Sequence, residues 1–191
     1  LGVRNRVSYL LWRSLCTHMV DLVPAPQRTA FEAAASQARA VSMAMLATQV
    51  GLVERVLRPL GVRHAFLKGA ALSARHYGDP VVRSVSDIDM LVEARRIPEV
   101  VARLVEQGWR MSSPFWKGQP LPLFARFTSV IELDAPDGRR VEVHRLVDGS
   151  GLVFDPAALL SRATTCRMGG REISVLAPDD EFLTTVYHHA R

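Results

Sequence analysis

Between Val85 and Val92 the chain reads Val-Ser-Asp-Ile-Asp-Met-Leu-Val, and no other segment constrains the fold as strongly. Ile88, Met90 and Val92 fall at every second position, the period of a β-strand with one face in a core. Asp87 and Asp89 then share the opposite face. Their Cα atoms lie roughly 7 Å apart, so both carboxylates can reach shared divalent ions. Like charges held this close are costly unless a cation neutralises them. Such a strand needs a covering layer on one side and leaves a metal-seeking face on the other. Asp-x-Asp alone is a weak signal, because many surface strands alternate polar residues in the same way.

Its neighbours strengthen it. Leu67-Lys68-Gly69-Ala70-Ala71-Leu72 lies where a short strand, His64 to Leu67, turns into a helix running to Tyr77. Gly69 permits close backbone approach, and a helix N-terminus offers free N–H groups to an anion. Lys68 adds positive charge there. Arg83, four residues before Asp87, carries a forked guanidinium suited to phosphate. Each residue alone has an ordinary explanation: a tight turn, or a solvated cation. Together they favour a phosphate site. Mg²⁺ binds one or two carboxylates and fills its shell with phosphate oxygens and water. Two such ions about 4 Å apart can activate one oxygen and stabilise another.

The rest of the chain reads as helices, then strand–helix–strand, then hairpins, then a helix. Residues 3 to 20 form a helix stopped by Pro24 and Pro26. From Gln27 to Leu60, Phe31, Ala35, Ala38, Met45, Leu46, Leu52 and Val56 recur at helical spacing. This is one long helix or two, any break falling near Gly51. Met43 and Met45 are core packing rather than a cofactor site. Pro98 to Gln107 is a short helix ended by Gly108, and Trp109 to Met111 a short strand. The proline-rich stretch 112–122 is a loop. Phe127 to Leu133 and Val141 to Arg145 form a hairpin around Ala135-Pro136-Asp137-Gly138. Residues 156–162 are a helical turn. A second hairpin closes at Gly169-Gly170, and acidic residues after Pro178 start a final helix. The fold expected is α/β (α+β), with a small mixed sheet and flanking helices. Residues 1–60 read as a helical segment, 61–150 as the core, and 151–191 as a hairpin with a C-terminal helix.

Lys68-Gly69, followed by Arg83-Ser84-Val85-Ser86-Asp87-Ile88-Asp89-Met90-Leu91-Val92, resembles the DNA polymerase β-type nucleotidyltransferase superfamily. The likeness is greatest to the bacterial "uncharacterised nucleotidyltransferase" family, with its "KG…R…DIDLLV" core and later "ELH"-like strand. It covers about Phe66 to Arg145. It implies a polymerase β-like core that moves a nucleoside monophosphate (NMP) from a nucleoside triphosphate (NTP) to an acceptor, with two Mg²⁺ (or Mn²⁺) ions and release of pyrophosphate. It further implies a third carboxylate on a neighbouring strand. Val141-Glu142-Val143-His144 supplies it, with Glu142 preferred over Glu132 on the partner strand. Asp87, Asp89 and Glu142 are then the catalytic and metal-binding set. Lys68, Gly69, Ala70, Arg83, Ser86 and His144 are the nucleotide-binding set. Two departures stand out. Ala70 replaces a Gly or Ser of the superfamily, and Ser73, one turn on, is a doubtful substitute for the missing hydroxyl. The spacing from Gly69 to Asp87 is also longer than in the minimal motif.

Other residues carry weaker signals. His144 faces the Glu142 side, and phosphate contact and a structural role are equally open to it. His188-His189 reads as a helix end rather than a nucleotide contact. Trp109, Phe115 and Trp116 read as packing rather than base stacking.

The net charge of +5 and pI of about 9.9 suit an acidic ligand. No run of five Lys/Arg marks a nucleic-acid tail. Cys16 and Cys166 cannot make a disulfide framework, and no CxxC pair exists for zinc, so a reducing cytoplasm is expected. No stretch of about 18 apolar residues occurs, so no membrane span is expected. The chain begins at Leu1 and stops at Arg191 inside a helix, so the natural protein is expected to extend further. A tRNA, a protein or a small molecule are all open as acceptor. Two alternatives remain: a glycosyltransferase, since Asp-x-Asp also binds the metal of nucleotide-sugars but gives Lys68-Gly69 no role, and a non-catalytic nucleotide-binding or interaction module.

Overall fold

In the computed structural model, which describes residues 8–113 and 118–190, two helices precede the sheet. Helix α1 (Ser8–His18) ends before Pro24, and α2 (Ala25–Leu52) starts directly after it. Pro26 sits in the first turn of α2, where its missing N–H is no loss. Of the two readings, one helix or two meeting near Gly51, the continuous one holds. The helix continues through a π-turn (Val53–Leu57) into α3 (Arg58–Leu60), and the Arg55 guanidinium folds over Gly51. A single wide turn absorbs the irregularity without ending the helix. Gly61 then closes it in the left-handed conformation, φ 59°.

The remaining elements follow in order. They are β1 (His64–Phe66), α4 (Gly69–Tyr77), β2 (Asp87–Val92), α5 (Ile97–Glu106), β3 (Arg110–Met111), α6 (Leu121–Phe127), β4 (Val130–Asp134), β5 (Arg140–His144), α7 (Pro156–Arg162), β6 (Thr164–Met168), β7 (Arg171–Val175) and α8 (Pro178–His189). Helix α6 corrects two expectations, a loop through 122 and a strand from 127. The prolines do not break this segment. Pro120 precedes the helix and Pro122 occupies its first turn. Phe124 and Ala125 are buried by it, and the strand begins only at Val130. Phe115 and Trp116 lie outside the described residues.

The seven strands form one mixed sheet in the order β3-β4-β5-β2-β1-β7-β6. Strand β2 runs antiparallel to β1 and parallel to β5. Register decides what meets what: Asp87 lies beside Arg140, Asp89 beside Glu142, and Leu91 beside His144. Ile88, Met90, Val92, Val141 and Val143 enter the main core with Met45, Leu46, Val53 and Val56 of the long helix and Val100, Val101 and Leu104 of α5. Trp109 joins the same core. The opposite face has a smaller cluster, in which Leu91 packs with Ala65, Leu67, Leu159, Leu160 and Leu176. Asp87 and Asp89 share the Leu91 face, beyond the reach of that cluster. Apolar cover therefore stops where the carboxylates begin.

The helical stretch Ala25–Leu60 is long and apolar enough to cross a membrane, with an 18-residue window of mean hydropathy 1.3. This corrects the expectation that no such stretch exists. Of that window, 56% is buried in the fold, the disposition of a core helix.

Candidate active site

The turn from β1 into α4 is built around two residues with positive φ. Lys68 has φ 50° and ψ −151°, and Gly69 has φ 52°. Among the described residues Lys68 is the only non-glycine with positive φ. Such a conformation costs roughly 1–3 kcal/mol and persists only where the surroundings hold it. The surroundings do hold it. The Leu67 N–H donates to the Asp89 carbonyl at 3.0 Å, and the Lys68 carbonyl accepts from Ala71 N–H at 3.1 Å. The strained turn thus presents the first amides of α4, which lack acceptors in their own helix, beside the Asp89 strand. Replacing Lys68 with Gly is expected to raise stability by about 0.5–1 kcal/mol, the relief of strain exceeding the added freedom of the unfolded chain. The same change is expected to weaken NTP binding at least tenfold. Thermal unfolding and calorimetry check the two effects together. A loss of both would mean that the turn serves packing alone.

The segment carrying Arg83 is pinned by buried hydroxyls. Ser73, fully buried, donates to the Asp79 carbonyl at 2.8 Å and accepts from Arg83 N–H at 3.2 Å. Ser42 donates to the Arg83 carbonyl at 3.3 Å. Ser73 is therefore a brace behind the loop and does not stand in for a phosphate-contacting hydroxyl at position 70. Ala70 itself turns into the core, so only its backbone faces a ligand.

These pieces surround a pocket of about 330 Å³. Lys68, Gly69, Arg83, Ser86, Asp87, Asp89 and Glu142 all line it. The side chains of Asp89 and Glu142 are 12% and 23% exposed, enough shelter to strengthen electrostatics while staying open to ligand. Glu132, the alternative to Glu142, lies opposite it across the β4–β5 pair. There it meets Arg140 at 3.4 Å and is not part of the pocket wall.

His144 stands directly against the carboxylates. Its Nε2 is 2.9 Å from Asp89 Oδ1 and 3.3 Å from Glu142 Oε2. Burial pushes the imidazole pKa down, but the hydrogen bonds to Asp89 and Glu142 lift it to about 9. For Asp89, burial works upward and the His144 contact, aided by the charge of Lys68, more than offsets it, so this carboxyl lies below its usual range. The ligand atoms of Asp89, Glu142 and His144 all lie within 4.8 Å of one another. Two carboxylates at this spacing beside an open pocket fit a divalent cation by donor chemistry. Asp87 lines the same pocket outside that cluster.

Helix α8 supplies a wall that the sequence did not announce. Thr185 and His188 line the pocket about a hundred residues from Asp87, and the Thr185 Oγ1 is buried without a hydrogen-bond partner among the described residues. His188 had read as a helix end, and the side chain of His189 lies outside what the structure describes. Only an alternation in α8 between pocket-facing and solvent-facing residues could have flagged Thr185. That pattern is blurred by the exposed Phe182, Leu183 and Val186.

A family model described as "Uncharacterised nucleotidyltransferase" matches residues 1–191. Among solved structures, the chain is similar to the lincosamide antibiotic adenylyltransferase LnuA with lincomycin bound. Identity is 16% and the TM-score 0.48, over 71% of this chain and 83% of that one. It is also similar to an antigenic nucleotidyltransferase-like protein from Paracoccidioides brasiliensis. Here identity is 17% and the TM-score 0.40, over 75% of this chain and 62% of that one, so less than two thirds of the latter's length is spanned. No curated protein matches the chain.

Proposed function

The chain belongs to the uncharacterised nucleotidyltransferase family, and from that premise we propose that it transfers an NMP group from an NTP to an acceptor hydroxyl. The acceptor oxygen forms a bond to the α-phosphorus. The bond from that phosphorus to the bridging oxygen of the β-phosphate breaks, and pyrophosphate leaves. The single observation that carries this reading is the pocket. It gathers Lys68, Gly69 and Arg83 from one wall and Asp87, Asp89 and Glu142 from the sheet face.

In this reading, Lys68, Arg83 and the first amides of α4, including that of Ala70, bind the triphosphate, with Ser86 on the same wall. Divalent ions, Mg²⁺ or Mn²⁺, held by Asp87, Asp89 and Glu142 would neutralise phosphate charge and make the acceptor oxygen a better nucleophile. Glu142 orients the acceptor hydroxyl. Its Oε2 faces His144, which leaves Oε1 to receive the hydroxyl proton. Most of the rate enhancement is then positioning and preorganised charge. An open cleft of about 570 Å³ shares Val85 and Ser86 with the pocket and is lined on its far side by Val41, Ala44 and Met45. It gives the acceptor, whether a tRNA end, a protein side chain or a small molecule, a route to the α-phosphate from the α2 side.

The test is calorimetry of the purified chain with each of the four NTPs, with and without Mg²⁺, followed by pyrophosphate release in the presence of candidate acceptors. Metal-dependent NTP binding is expected, and it should vanish in the Asp87→Asn/Asp89→Asn double variant. If no NTP binds, the proposal fails and a non-catalytic interaction module takes its place.

A further inference from the structure

We propose that His144 is itself a metal ligand, completing with Asp89 and Glu142 one triangular face of an octahedral site that prefers a first-row transition ion such as Mn²⁺ to Mg²⁺. The proposal rests on the reading that a divalent ion works in this pocket, and it changes both the ligand set and the expected ion.

The argument is geometric. Two ligands about 2.1 Å from one ion, at neighbouring corners of an octahedron, are about 3.0 Å apart. At the corners of a tetrahedron they are about 3.4 Å apart. His144 Nε2 lies 2.9 Å from Asp89 Oδ1 and 3.3 Å from Glu142 Oε2, so the nitrogen already has the spacing of neighbouring ligands around one ion, and the shorter of the two distances is the octahedral one. An ion at this place would replace the hydrogen bond between His144 and Asp89. The three donors project from paired strands. Asp89 and Glu142 are register partners, and His144 follows Glu142 by two residues on the same face. Ligands mounted on a hydrogen-bonded sheet are held more rigidly than ligands on loops. The other three positions are then left for phosphate oxygens and water, and Asp87, which lines the same pocket outside this cluster, stays available to a second ion.

The donor chemistry decides the ion. Mg²⁺ favours an all-oxygen shell, whereas a nitrogen ligand favours the first-row transition ions over it, least for Mn²⁺ and more for the later ones. With one nitrogen and two carboxylates the set is still oxygen-rich, so Mn²⁺ fits it and is the ion whose bond to nitrogen can be read directly. His144 acting only as a counter-ion would produce the same short contacts without a metal. The experiment must therefore detect the metal–nitrogen bond itself.

Mn²⁺ is titrated into the full chain, with and without a non-hydrolysable ATP analogue, and Mg²⁺ is titrated in parallel by calorimetry. Pulsed electron paramagnetic resonance of bound Mn²⁺ then reads nitrogen coupling. The expected result is Mn²⁺ bound at least tenfold tighter than Mg²⁺, with one strongly coupled nitrogen. In His144→Gln the coupling disappears and the preference for Mn²⁺ falls below about threefold, while Mg²⁺ still binds. Bound Mn²⁺ without nitrogen coupling in the wild-type protein overturns the proposal, and that measurement needs no variant to fold. Coupling that survives in His144→Gln overturns it as well, and so does a wild-type protein that binds neither ion. Transfer of NMP by a protein lacking the nitrogen signal would leave the proposed function standing and remove only this inference.

Discussion

Replacing Asp89 with Asn is expected to lower NMP transfer by about a thousandfold or more, equivalent to about 4 kcal/mol of transition-state stabilisation. The loss should come with little change in stability. Asp89 is tied to several neighbours at the pocket. Its Oδ1 meets His144 at 2.9 Å, Glu142 lies beside it in register, and Lys68 acts on it electrostatically. Asn has the same shape and can keep a hydrogen bond to His144, but it cannot carry the charge that, in the proposed mechanism, would hold a cation against the phosphates. Asp89 also pays for its burial, since desolvation works against its charged form. Removing that charge relieves the burial cost but weakens a pairing with His144 that outweighs it; Glu142 still faces the imidazole at 3.3 Å, so the variant is expected to lose only a little stability and to stay folded. The measurements are pyrophosphate release and urea unfolding of the same preparation. An Asp89→Asn protein that retains activity would sink the mechanism. One that has lost both activity and stability would assign Asp89 to the fold rather than to the chemistry.

How far the site could be read in advance depended on whether its parts are local. The strand from Asp87 to Val92 was legible because alternation along one strand sets both its burial and its polar face. The Lys68-Gly69 turn was legible because a glycine between a strand and a helix has a narrow range of uses. The short contact of His144 with Asp89 was not, because it depends on β2 and β5 lying side by side in one particular register. A shift by one residue would have turned His144 into the core. Helix α6 was hidden by Pro120 and Pro122, which look like breakers unless the first turn of a helix is considered. Thr185 and His188 were hidden for a different reason. Nothing near them in the sequence says against which face of the sheet α8 will dock, and among the contacts that hold it there is an ion pair between distant residues, Arg75 and Glu181.

That ion pair carries the second large expectation. Arg75 of α4 donates from Nη1 to Glu181 Oε2 of α8 and from Nη2 to the Leu176 carbonyl at 3.0 Å. The Glu181 side chain is only 3% exposed, and its Oε1 is buried with no partner among the described residues. Replacing Arg75 with Met keeps much of the aliphatic stem but strands a buried carboxylate, a change that typically costs about 3–5 kcal/mol. Against a total stability of about 5–15 kcal/mol this is severe. The loss should also depend on pH, in a direction fixed by Glu181. Burial raises the Glu181 pKa above its usual value, and Arg75 pulls against that rise. A carboxyl whose folded pKa is raised contributes stability that is fully present below its unfolded pKa and lost as pH climbs through the folded one. Without Arg75 the folded pKa rises further, and the penalty for an ionised Glu181 is met in full at alkaline pH. Arg75→Met should therefore be closer to wild type at pH 5 than at pH 8 in urea unfolding, and adding Glu181→Gln should restore part of the loss at pH 8. A deficit that is equal at both pH values and untouched by Glu181→Gln would mean that Arg75 acts through packing and its bond to Leu176 alone. Because α4 begins at Lys68-Gly69 and α8 carries Thr185 and His188, the same pair fastens two walls of the pocket together. Arg75→Met should thus weaken NTP binding at pH 8 by more than the unfolded fraction accounts for.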